Sequence, residues 1–334
     1  MDPCVDGTPA EAGSPFNKPT ADIIVRSSDN VLFRVHKIIL SMASDVFESA
    51  FSFPQPENVQ NIEDNVMPVD EDSRVIWLLL RYCYPGSFPP PTTLDDLHAV
   101  LRAARKYQMD MVVESLKDAL VADKHLVRDP LRVFAIAYDQ GLQEQVRISA
   151  RATLRLSMSE LYRTRTRELS LVPADVFQRL LEYHDDCGRA ASQLLPSPNA
   201  IPWLSWSHET MYCFFCCTND KCYGLLFSGY FSNGHDVYAK EWWVDFMKKS
   251  CDLLRERPWG ALVMESALQE TCARKAKECW YCSFAAVRDL GRFSGKFAVR
   301  IEEVVTSVGG STERRRNCRS DFIHWQVPFG IKVE

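Results

Sequence analysis

The sequence predicts an α+β unit, a small sheet flanked by helices, followed by a mostly α-helical chain. Two short runs carry the strand reading: "DIIV" at 22–25 and "VLFRV" at 31–35 flank the polar tract "RSSDN", a pattern suited to a hairpin. From residue 73 apolar residues recur at helical spacing, and from 129 the pattern is purely helical.

The first segment, "MDPCVDGTPAEAGSPFNKP", is acidic and rich in Pro, Gly and Ser, with no apolar h-region. Residues 1–19 are therefore expected to be disordered, and to be neither signal nor transit peptide. After the hairpin, "KIILSMAS" reads as a short helix, and Ser44 is placed to cap a second one over "DVFESAF". A loop with two prolines follows, and then a helix with Val75, Ile76, Leu79, Leu80 and Cys83 at helical spacing, stopped by Pro85-Gly86. Thr93 with Asp96 resembles a capping box for a helix whose apolar face is Leu94, Leu97, Val100, Leu101 and Ala104. Asp110 is a candidate cap for the next helix, which buries Val113, Leu116 and Leu120. The unit is expected to span 20–123.

A helical extension is expected over 124–195. Asp129-Pro130 starts one helix and Gly141 stops it, Ser157 with Glu160 forms a capping box, and Pro173 opens a helix with Val176, Phe177, Leu180 and Leu181. "LLPSPNAIPWL" reads as a linker. A Cys/Trp-rich helical domain is expected over 196–306. In it Trp243, Phe246, Met247 and Leu254 face inward, and Val287, Leu290, Phe297, Ile301, Val304 and Val305 mark a last long helix. The remainder, 307–334, reads as an irregular tail.

The chain has 334 residues, 46% hydrophobic and 25% charged, enough for one to three cores. A net charge of −5 argues against a dominant nucleic-acid or lipid surface. The longest clean apolar run, "VIWLLL" at 75–80, is far short of the ~20 residues that span a bilayer, so no membrane segment is expected. No Walker or dinucleotide glycine pattern, no G-x-S-x-G and no H-E-x-x-H occurs, which removes the common enzyme classes and favours a non-enzyme.

Ten of the twelve cysteines lie from Cys187 onward. Cys213-x-x-Cys216 and Cys279-x-x-Cys282 supply four thiolates, the number a structural tetrahedral Zn²⁺ takes. Each x-x spacing puts both sulfurs on one side of a turn or helix. The 62 residues between the pairs exceed the usual zinc-ribbon gap. Cys217 is an alternative to Cys216, and Cys222, Cys187 and His208 are further candidates. Cys272 is disfavoured, about two helical turns or roughly 10 Å from Cys279. The bland alternative is that these are small buried hydrophobes. A redox CxxC would open a helix after a strand in a βαβ unit, and no such pattern surrounds either pair. Trp203, Trp206, Trp242, Trp243, Trp259 and Trp280 are expected in a core rather than on a binding surface.

"DIIVRSSDNVLFRVHKIILSMASDVFESAF" resembles the opening of a BTB/POZ domain. Asp22, Phe33, His36, Lys37, Leu40, Ser44 and Phe47 match its pattern. "YCYPG" and "VLRAARKYQMDMVVESLKDAL" match later helices of the family. The likeness covers about a third of the chain, and the layout as a whole is similar to BTB proteins of filamentous and mushroom-forming fungi. The resemblance implies that His36 supports the strand-to-helix corner by hydrogen bonding rather than acting as a base. It also implies protein partners: a second copy of the chain, or a cullin-type ubiquitin-ligase scaffold to which the protein acts as adaptor. Two departures weigh on these. Only a Pro-rich stretch precedes Asp22, where many animal members have a helix and strand for a swapped dimer. Gln55 stands where animal cullin adaptors have an acid two residues after the apolar position, here Phe53.

The alternative from another class is a zinc-stabilised nucleic-acid-binding or transcriptional regulator that oligomerises through the BTB domain. A thiol enzyme using a Cys with His184 or His208 ranks last. "ERRRNCR" at 313–319 is read as a solvated tail, with nuclear import as its functional alternative, so the expected location is cytoplasm, nucleus or both.

Overall fold

The computed structural model describes residues 9–53, 62–86, 89–194, 214, 222–227 and 237–316, without the side chains of residues 64, 225–227, 237 and 309–316. Two compact units divide the chain, 1–149 and 150–334.

The first unit holds a four-stranded mixed sheet in the order β1-β3-β2-β4, where β1 is Ala10–Glu11, β2 Ile23–Arg26, β3 Val31–Val35 and β4 Val66–Pro68. β2 and β3 form the expected antiparallel hairpin, with Val25 opposite Phe33, and Asn30 supplies the left-handed residue of its turn at φ 63°. β4 joins β2 in parallel, Ile24 opposite Val66. That strand was not legible because only three residues pair and Pro68 ends the run. Helices surround the sheet: α1 Lys37–Ala43, α2 Asp45–Ser52, α3 Ser73–Cys83, α4 Leu94–Lys106 and α5 Asp110–Leu120. Local chemistry sets their starts. The side chains of Ser44, Asp72 and Thr93 accept from the N–H of Phe47, Val75 and Asp96 respectively. Asp110 is not a cap; α5 starts on it, with Met109 at the cap position. α6 Asp123–Arg128, α7 Pro130–Asp139 with proline in its first turn, and α8 Gln143–Ala152 follow. Gly141 ends α7 at φ 65°.

Residues 9–19 depart from the expected disorder. Ala10 and Glu11 pair in parallel with Val31 and Leu32. Phe16 is wholly buried against Phe33 and Tyr84, at ring-centroid distances of 5.9 and 5.4 Å. One aromatic ring in a polar segment provides an apolar anchor that average composition hides.

The second unit carries α9 Met158–Arg163, α10 Ala174–Ser192, a two-stranded antiparallel sheet of β5 Tyr223–Phe227 and β6 Val237–Lys240, and then α11 Glu241–Glu256, α12 Ser266–Ala276, α13 Trp280–Ser283 and α14 Ala286–Arg316. The hairpin is an addition to the mostly helical expectation. α14 corrects the irregular tail: the helix runs through Gly309-Gly310 to Arg316, since a glycine costs only about 1 kcal/mol in an established helix and need not stop it. Its core includes Trp242, Trp243, Phe246, Met247, Leu290, Phe293 and Phe297. Gly188 of α10 meets the Arg255 carbonyl of α11 so closely that an added Cβ would clash with backbone. Trp280 and Val287 are exposed by 73% and 62%, against their expected burial, because α13 and the first turn of α14 turn them outward. Trp203 and Trp206 lie outside the described residues.

Candidate functional site

Of the four cysteines the spacing selects, Cys213 and Cys216 lie outside the described residues. Cys279 and Cys282 are brought together with Cys222, one of the sequence's substitutes. The three sulfurs lie within 4.8 Å of one another and all three residues are buried. Cys279 occupies the cap position of α13, and its carbonyl accepts from the N–H of Cys282 and of Ser283. That turn places both sulfurs of the pair on one side. Cys222 arrives from the residue before β5 and sets its Sγ 3.4 Å from that of Cys282.

Burial pushes the Cys282 thiol up from its ordinary value. The Cys222 sulfur, the Trp242 indole N–H and the Lys240 ammonium act in the other direction and favour its thiolate. Lys240 and Trp242 are themselves buried. β6 brings them there: Lys240 pairs with Tyr223, the neighbour of Cys222, and α11 begins at the next residue. Trp242 Nε1 has no hydrogen-bond partner of normal geometry. The sequence offers Cys222 only as one substitute among several; its place at the head of the run "CYGLLF" is the feature that sets it apart.

A thiol nucleophile would need the opposite environment. Cys187 lies on α10 one turn from His184, but burial pushes its thiol up to about 12. His184 Nε2 donates to the Leu156 carbonyl at 2.8 Å, and its buried Nδ1 is without a partner. His208 lies outside the described residues. Burial is the main cause that lowers the His184 pKa below its ordinary 6.5; the Leu156 carbonyl opposes it. The unfolded chain thus takes up a proton below pH 6.5 that the native chain refuses. The stability from neutral His184 is full above pH 6.5 and is lost as pH falls from there through the lowered native value. Urea midpoints across pH 7 to 5 are expected to fall, and to fall less steeply in His184→Gln. Equal slopes would show that His184 does not set the acid limb.

In the first unit Asp22, His36 and Lys37 meet at the strand-to-helix corner, and Ser44 and Phe47 pack against Tyr107. Asp22 Oδ1 accepts from the Lys37 N–H at 2.7 Å and so holds the first turn of α1 against β2. The backbone N–H of His36 donates to the Tyr84 hydroxyl at 2.8 Å, its Nδ1 lies 3.1 Å from the same oxygen, and Nε2 lies 3.0 Å from Thr20 Oγ1. Every polar atom of the imidazole is engaged in scaffold bonds. Ser44 caps α2 and also donates to the Tyr107 carbonyl at 2.5 Å. Phe47 stacks on the Tyr107 ring at 4.7 Å, while Phe33 and Leu40 are buried.

The BTB/POZ domain family model matches residues 14–124. Residues 14–124 form a BTB/POZ domain. The match begins earlier than the motif, at a point that takes in Phe16. Around the BTB domain's corner, Ile38 and Met42 of α1 are exposed by 66% and 83%, four residues apart and so on one face. Phe53, just past α2, is also exposed. A groove of about 510 Å³ is lined by Val31, Phe33, Trp77, Pro90 and Pro91 among others, with the Arg81 guanidinium 4.4 Å from the Trp77 ring centre. BTB domains are protein–protein interaction domains without enzymatic activity of their own. No helix among the described residues is long and apolar enough to cross a membrane. No curated protein matches the chain, so the expected likeness of its full layout to fungal BTB proteins finds no support there.

Proposed function

We propose that the chain is a non-enzymatic interaction module whose BTB domain pairs with a second copy and serves as an adaptor or scaffold for other proteins. The observation that carries this is the exposed Ile38/Met42 stripe beside a corner whose polar groups are already committed to the fold. Light scattering on the full chain is expected to give a dimer. Ile38→Glu with Met42→Glu is expected to weaken pairing by at least about 100-fold, since burying two such side chains contributes about 3–6 kcal/mol. The melting temperature of the variant should stay near that of the wild type. A monomeric wild type would rule out this pairing.

A cullin-type ubiquitin-ligase scaffold is the second partner that the exposed Phe53 supports; Gln55, outside the described residues, counts against it. Its recovery in an affinity pull-down distinguishes the adaptor from the nucleic-acid-binding regulator, which salt-sensitive retention on DNA would favour. The net charge of −5 weighs toward the adaptor. We read the second unit as a zinc-stabilised scaffold built on Cys279-x-x-Cys282, with Cys213 and Cys216 as the other pair that the sequence offers. Cytoplasm and nucleus are the locations consistent with this reading.

A further inference from the structure

We propose that Cys222, a residue outside both CxxC pairs, binds a single zinc ion together with Cys279 and Cys282, and that this ion ties the head of β5 to the turn before α13. The inference rests on the zinc reading of the second unit and is separate from the pairing of the BTB domain.

Geometry carries it first. A tetrahedral zinc thiolate site with arms of about 2.3 Å has sulfurs about 3.8 Å apart. The three sulfurs lie within 4.8 Å of one another, with one pair at 3.4 Å, so they bracket that edge. The short pair is far beyond a covalent S–S bond of about 2.05 Å. The three residues also come from two segments distant in sequence, so no local turn explains their meeting: 60 residues separate Cys222 from Cys282.

Charge carries it second. Three thiolates around Zn²⁺ leave a net charge of −1, and a buried cluster of that charge needs a buried cation. Lys240, 8% exposed, is such a residue: it pairs across the hairpin with Tyr223, the neighbour of Cys222. The Trp242 N–H, two residues further on, is buried without an acceptor of normal geometry, a donor of the kind that a metal-bound thiolate takes. The apolar core that encloses the cluster excludes water from the ion.

Zinc would then add a link between the short hairpin and the turn before α13. A two-stranded sheet is marginal by itself, and a metal that binds only the folded unit shifts its folding equilibrium.

The test is metal content of the purified full-length chain by mass spectrometry. About one zinc per chain is expected. Cys222→Ser, Cys279→Ser and Cys282→Ser should each lose most of it, while Cys272→Ser, which removes a buried cysteine outside the cluster, should keep it. Full zinc in Cys222→Ser would overturn the role of Cys222 while leaving a zinc site standing. Absence of zinc from the wild type would overturn both. Equal loss in Cys272→Ser would show a folding effect and overturn the assignment. Should the cluster variants fail to fold, zinc-edge X-ray absorption on the wild type decides: at least three sulfurs at about 2.3 Å are expected, and fewer than three would refute the site.

Discussion

Phe16→Ala is expected to destabilise the BTB domain by about 3–5 kcal/mol, a large part of the 5–15 kcal/mol that typically holds a domain of this kind folded. The ring is wholly buried between Phe33 of the sheet and Tyr84 at the end of α3, edge-on to Tyr84 at an interplanar angle of 85°. Truncation leaves a cavity that these two aromatic walls cannot close. The effect reaches further, because the Tyr84 hydroxyl holds the backbone of His36 at the strand-to-helix corner. The strap that Phe16 anchors is hydrogen-bonded along β3, from the Ala12 N–H to the Leu32 carbonyl and from the Arg34 N–H to the Phe16 carbonyl, both at 2.8 Å. Urea unfolding monitored by circular dichroism measures the loss. A change within about 0.5 kcal/mol, typical of an exposed site, would mean that the strap is peripheral.

Phe293→Ala is expected to cost the second unit a comparable 3–5 kcal/mol, by the usual scale of about that size for a buried phenylalanine. Phe293 sits at the centre of an aromatic group, with ring centroids 5.2 Å from Phe214, 5.5 Å from Trp243, 6.1 Å from Phe246 and 5.7 Å from Phe297. Three of the four contacts are edge-on, an arrangement worth about 0.5–1.5 kcal/mol per pair beyond the area buried. Tryptophan fluorescence reads the outcome directly, since Trp243 emission should shift toward that of a hydrated indole at lower urea. Phe293→Leu keeps the apolar volume and should lose well under half as much. If the two variants are equally damaging, the edge-on geometry matters more than the filled volume.

The parts of this fold that were legible are those in which one residue does a local job. Ser44, Thr93 and the Ser157/Glu160 pair announce helix starts, and each caps as its type suggests. The hairpin at 23–35 follows from alternation around a polar turn. The parts that were not legible depend on meetings between distant segments. Phe16 looks like one aromatic in a polar tract until β3 lies beside it. Val66–Pro68 pairs over too few residues to show a period. In the candidate metal site, Cys279 and Cys282 are visible because one turn sets their spacing. Cys222 is visible only as one substitute among several, because its neighbour relation is made by a hairpin and a helix turn. Trp280 illustrates the reverse error: an aromatic next to core residues in sequence can still face water when a four-residue helix turns it outward.

The sheet order has a consequence for how the first unit keeps to itself. β1 is two residues long, yet with the strap behind it, it is what occupies the outer edge of β3. A fragment cut at the first residue of the recognisable motif, Asp22, would leave the backbone of Val31–Val35 open on that side, a flat row of donors and acceptors that another chain can zip onto. The unpromising N-terminal tract therefore acts as a selvedge. It finishes the cloth where it would otherwise fray into aggregates.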